Sequence, residues 1–73
     1  MFHTTQAVLA AMRAHPGSAG LQEQGCAALC NLAANADNKV LIARAGGVEA
    51  VLAAMRAHLG SAVVQEEGCR ALR

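Results

Sequence analysis

Apolar positions along the chain recur at three- and four-residue spacing, the signature of helices with one face turned toward a core. The first such stretch predicts a helix over 4–15, with Thr4 or Thr5 as N-cap, Val8, Leu9 and Met12 on one stripe, and Pro16-Gly17 as the stop. Ser18 is placed to cap a second helix that ends near Ala34. Its apolar side holds Leu21, Gly25, Cys26, Leu29, Leu32 and Ala33, while Gln22, Glu23 and Gln24 lie toward the opposite side. After a turn at Asn35-Ala36-Asp37, a short helix over 38–45 carries Leu41 and Ile42 and is stopped by Gly46-Gly47. The pattern then begins again: 48–58 repeats the first helix, Gly60 and Ser61 the turn and cap, and 62–73 the second helix.

That recurrence is close to literal. Residues 7–30 laid over 50–73, an offset of 43, agree at 18 of 24 positions, including the block AVLAAMRAH at 7–15 and 50–58. The differences are Pro16/Leu59, Gly20/Val63, Leu21/Val64, Gln24/Glu67, Ala27/Arg70 and Cys30/Arg73. A helical period of about 40–47 residues falls in the range of armadillo and HEAT arrays, whereas ankyrin and tetratricopeptide units repeat at about 33–34. The chain therefore reads as an all-α solenoid segment. Gly25 and Gly68 each cost their helix about 1 kcal/mol relative to Ala. Their repetition in both copies points to close approach of a neighbouring helix, with the backbone of the preceding helix as the expected contact.

Composition narrows the chemistry. Ala supplies 18 of the 40 hydrophobic residues, which favours helix over strand. A net charge of +1 without a run of Lys or Arg offers no footprint for nucleic acid or an anionic membrane. Phe2 is the one aromatic residue, too few for a base-stacking platform. No apolar stretch approaches the roughly 20 residues that cross a bilayer. Three cysteines without a signal-peptide pattern do not form a secreted disulfide framework, so an intracellular compartment, cytoplasmic or nuclear, is expected.

The stretch NKVLIARAGGVEAVLAAMRAHLGSAVVQEEGCRAL, preceded by ALCNLAANAD, resembles the armadillo repeat. The resemblance rests on N-K-x-x-I-x-x-A-G-G and A-L-x-N-L-A and covers essentially the whole chain, about 1.7 periods. It implies a right-handed superhelix of three-helix units, with 4–35 as the second and third helices of one repeat and 36–73 as a second repeat whose last helix is short. On this reading the chain is a fragment or an engineered unit. The family binds extended peptides or partner proteins along a groove of third helices, with an Asn holding the ligand backbone and a Trp one turn earlier. Asn31 matches the Asn, and the Trp position is occupied by Ala27 and, in the second copy, by Arg70. A protein or peptide partner of a longer parent chain is the corresponding expectation.

The remaining reactive residues have ordinary explanations. Cys26 and Cys30, at i,i+4 on one helix, are the candidates for a thiol-based metal or redox site, but no further ligands follow at zinc-site spacing. Cys69 repeats Cys26, so both are expected in the core, with Cys30 the more exposed thiol. His15 and His58 sit at helix C-termini, where the helix dipole favours them, and the helix-packing distance of about 10 Å keeps them from sharing a metal. Glu23, Glu66, Glu67, Arg13, Arg44 and Arg56 follow the same dipole rule and read as solvated charges. No nucleophile and base are paired by spacing, so neither catalysis nor a cofactor is expected.

A repeat contacts only its neighbours, and about three are usually needed for a stable stack. Val8, Leu9 and Met12 at one end, and Val63, Val64 and Leu72 at the other, are thus the expected self-association surfaces. Association of copies follows, with a closed homodimer favoured and head-to-tail stacking as the open-ended alternative.

Overall fold

The computed structural model describes residues 2–72. Five helices account for most of them: α1 Phe2–Ala14, α2 Ala19–Leu32, α3 Ala36–Arg44, α4 Gly47–Ala57 and α5 Ala62–Ala71, with no strand among the described residues. Caps fix the boundaries. The Ser18 and Ser61 hydroxyls accept from the Leu21 and Val64 N–H, each at 3.2 Å, so the two longer hairpins open their second helix in the same way. Asn35 caps α3 by accepting from the N–H of Asp37 and Asn38 at 2.9 and 3.2 Å. That carboxamide starts α3 at Ala36, earlier than the expected 38, since the polar turn is itself the cap. Gly46 stops α3 in the left-handed region at φ 88°, and a Cβ on Gly47 would collide with Ile42.

Two other boundaries differ from expectation. α1 begins at Phe2, so Thr5, which is buried, lies inside the helix instead of capping it. α5 ends at Ala71, and Arg73, expected to close it, lies outside the described residues.

The hairpin α1–α2 packs against its duplicate α4–α5 with like beside like, α1 against α4 and α2 against α5. The contact between α2 and α5 is the most extensive, and α3 rests on both α1 and α4. The shortest dimension of the molecule is 16 Å, room for two helix layers at a spacing of about 10 Å. Between the hairpins lies the core of Leu9, Met12, Cys26, Leu29, Ile42, Ala50, Val51, Ala54 and Val64. Three of the expected self-association residues, Leu9, Met12 and Val64, are therefore buried within the chain. Leu9 and Val64 belong to this one shared cluster, and Met12 is held beneath Gly25.

Candidate functional site

Each hairpin is closed by a glutamine. The Gln22 amide of α2 donates to the carbonyls of Met12 and His15 at 3.0 and 2.9 Å, and the Gln65 amide of α5 donates to those of Met55 and His58 at 2.9 and 3.0 Å. These are repeat-equivalent bonds, and they pull the second helix onto the C-terminal end of the first. Met12 needs its bond most: its helical donor would be the N–H of residue 16, which is Pro16 and has none. Gln22, placed by its polarity on the outer side of α2, is instead 2% exposed, because an orphan carbonyl inside the hairpin requires a donor. Its signal in the sequence was its retention in both copies behind a helix-stopping turn.

The same hairpins explain the helical glycines. A Cβ at Gly25 would stand 2.6 Å from Met12 Cγ and Sδ, and one at Gly68 would stand 2.7 Å from the same atoms of Met55. The close approach is as expected, but the neighbour is a methionine side chain of the preceding helix, not its backbone.

Hydrogen bonds tie the first hairpin to the second and to the end of the intervening α3. Arg13 donates to the Ala45 carbonyl at 2.9 Å, Ser61 Oγ donates to Glu23 Oε1 at 3.2 Å, and His58 Nε2 lies 2.8 Å from the Pro16 carbonyl. A carbonyl only accepts, so His58 carries its proton on Nε2 in this bond. Arg13 and Glu23, read from the sequence as solvated charges, thus hold the junction together. His58 closes α4 and reaches across the junction as well.

Equivalent residues of the two copies differ in burial according to the side of the junction they occupy. Leu29 is 1% exposed and its counterpart Leu72 is 38% exposed; Thr5 and its counterpart Val48 stand at 1% and 41%. Cys26 is buried and Cys69 exposed, which corrects the expectation that both lie in the core. In the opposite sense, Val64 and Val51 are buried while Leu21 and Val8 are only partly so. The molecule consequently has two different free faces. One, here the head, is a groove of about 440 Å³ lined by Ala7, Val8, Ala11, Met12, Leu21, Gln24, Gly25 and Ala28. The other, the tail, carries Val48, Leu52, Cys69 and Leu72. Val63 is exposed, and so is its counterpart Gly20 with nothing within 4 Å of its Cβ position, so this position lies off the junction.

Of the candidate groove residues, Asn31 is exposed and Ala27 half-buried, one turn apart on α2. Arg70 occupies the position equivalent to Ala27 on the adjacent α5 and pairs with Glu67 at 3.3 Å. The thiols are dispersed in environment: Cys26 buried, Cys30 half-buried, Cys69 exposed. Burial, with a further contribution from the Glu67 carboxylate, pushes the Cys26 thiol above its ordinary range, which weakens it as a nucleophile or metal ligand. Among the described residues no three His, Cys, Asp or Glu side chains gather around a possible metal position. No helix among them is long and apolar enough to cross a membrane. A smaller cavity of about 240 Å³ beside Met12 and Ala54 has Arg13 and Gln22 as its polar side chains, and both already donate to backbone carbonyls.

The fold and these faces define an all-helical protein made of a duplicated helical hairpin with an intervening short helix. Comparison with protein families, with curated proteins and with solved structures finds no match.

Proposed function

We propose that this chain is a non-catalytic interaction module, an α-solenoid segment of armadillo type that works by associating through its repeat faces. The observation that carries the reading is the reversal of burial between equivalent residues: Leu29 is covered and Leu72 open, Val64 covered and Leu21 partly open. Residues that one unit uses to bind the next are present in duplicate, and one set of each is free. The 43-residue period, the Gly46-Gly47 stop and the A-L-x-N-L-A segment at 28–33 support the armadillo assignment. Asn31, Ala27 and Arg70, on the neighbouring helices α2 and α5, are the positions at which an extended peptide would lie on this reading. The asparagine amide supplies one donor group and one acceptor to a peptide backbone.

Sedimentation over a concentration series tests the proposal. The expected result is a mass that rises above the 7.4 kDa of one chain in the micromolar range. A folded helical monomer throughout that range would overturn it.

A further inference from the structure

We infer that the partner is a second copy of this chain, stacked head to tail in the register of the internal repeat, with the tail of one copy seated in the head groove of the next. The inference rests on the reading of the chain as a self-associating module and specifies how it associates.

The internal junction is the template. Residues that the second hairpin buries in the core shared with the first include Ala50, Val51, Ala54 and Val64. Their equivalents Ala7, Val8, Ala11 and Leu21 line the open head groove. On the other side, the first hairpin contributes Thr5, Leu9, Cys26 and Leu29, and the equivalents Val48, Leu52, Cys69 and Leu72 form the tail. Much of the surface that already fits once within the chain is therefore offered again at its two ends, with Leu21 in the place of Val64, Gln24 in the place of Glu67 and the aliphatic Val48 in the place of the hydroxyl-bearing Thr5.

Two of the polar contacts repeat as well. Ser61 donates to Glu23 inside the chain, and the equivalent pair across a copy-to-copy junction is Ser18 of the following copy with the exposed Glu66. His58 donates to the Pro16 carbonyl inside the chain, and the equivalent pair is His15 of the following copy with the Leu59 carbonyl. His15, Leu59 and Glu66 are all exposed and on hand for these bonds. A two-fold dimer makes neither bond, because it sets head against head, with Ser18 and His15 facing their own copies, or tail against tail, with Glu66 facing Glu66. The faces are complementary but not self-complementary, so the contact is heterologous.

The test uses one variant for each face: Leu21→Glu in the head and Leu72→Glu in the tail, with helicity checked by circular dichroism. Each variant alone should stay at single chains, while an equimolar mixture should give a 1:1 complex through the intact head of one and the intact tail of the other. Wild type should instead grow in mass with concentration without halting at the dimer. A second pair avoids the apolar faces: Ser18→Asp, which keeps an N-cap, places a carboxylate against Glu66 and should weaken association about tenfold, and adding Glu66→Lys should restore it. Wild type that associates while the Leu21→Glu or Leu72→Glu variant still forms a stable dimer by itself would overturn the head-to-tail register and leave the association reading standing. A mixture without the 1:1 complex, or charge variants that do not compensate, would also overturn the register. Wild type that stays monomeric would remove both.

Discussion

Substitution of Gln22 by Leu removes the donor that serves two carbonyls, at 3.0 Å to Met12 and 2.9 Å to His15, and keeps the apolar bulk in place. The two losses are unequal. The His15 carbonyl also accepts from the Ser18 N–H at 3.1 Å and stays satisfied, whereas Pro16 offers no N–H to the Met12 carbonyl, which is left buried without its helical donor. A buried orphan acceptor costs about 1–3 kcal/mol, and the lost bond to His15 adds about 1 kcal/mol, so Gln22→Leu should destabilise by about 2–4 kcal/mol. A chain of this length has about 4–11 kcal/mol of stability to lose, so the effect is a large fraction of the whole. Gln65→Leu should cost about 1–2 kcal/mol, because Gln65 is only half-buried where Gln22 is buried. The assay is urea unfolding followed at 222 nm, with all variants at one chain concentration. Pro16→Leu completes a thermodynamic cycle: by supplying an N–H at that position, it should lower the cost of Gln22→Leu by about 1 kcal/mol or more. Equal losses at Gln22 and Gln65, with no coupling to residue 16, would refute the account of the orphan carbonyl.

Other consequences are open to direct measurement. Leu29→Ala should cost about 2–5 kcal/mol through cavity formation, and Leu72→Ala under about 1 kcal/mol at chain concentrations where copies do not associate; similar shifts of the urea midpoint would contradict the covered and open assignment. Gly25→Ala gains about 1 kcal/mol of helix propensity but drives a methyl group into Met12, an overpacking cost of about 1–3 kcal/mol, so the thermal midpoint should fall or stay level, and a clear rise would show that Met12 moves aside freely. Alkylation of the native protein followed by mass spectrometry should label Cys69 first, Cys30 more slowly and Cys26 only on unfolding. The Cys26 thiol is held above its ordinary range in the folded chain, so above about pH 8.5 the unfolded state loses this proton first. Stability from this group is thus complete below that pH and declines as pH rises toward the folded value; Cys26→Ala should flatten the alkaline limb of a stability–pH profile, and an unchanged limb would contradict the sign.

The helices themselves were legible because their punctuation is local. Ser18, Ser61 and Gly46-Gly47 act within a turn of where they stand, and the structure uses each as a cap or a stop. Burial was less legible, since it depends on what lies across the junction. Cys26 and Cys69 have near-identical sequence neighbours, yet one is enclosed by the α2–α5 contact and the other lies on the far side of α5. No reading of a local stripe separates them. Gln22 was misplaced for a different reason: polarity ordinarily marks a solvated position, and here it answers an orphaned backbone carbonyl ten residues earlier. Arg13 and Glu23 likewise follow the dipole rule, but their partners Ala45 and Ser61 are 32 and 38 residues away, beyond the reach of a helical pattern.

The glutamine staples also order assembly in time. Gln22 finds its acceptors 7 and 10 residues back along the chain, and Gln65 does the same, so either hairpin closes through a short loop at small entropic cost. Bonds that tie the first hairpin to the second and to the end of α3 span 32, 38 and 42 residues and must wait for distant pieces of the chain to meet. A molecule built this way is expected to close its hairpins first and to dock them last, at the seam where the two pieces meet.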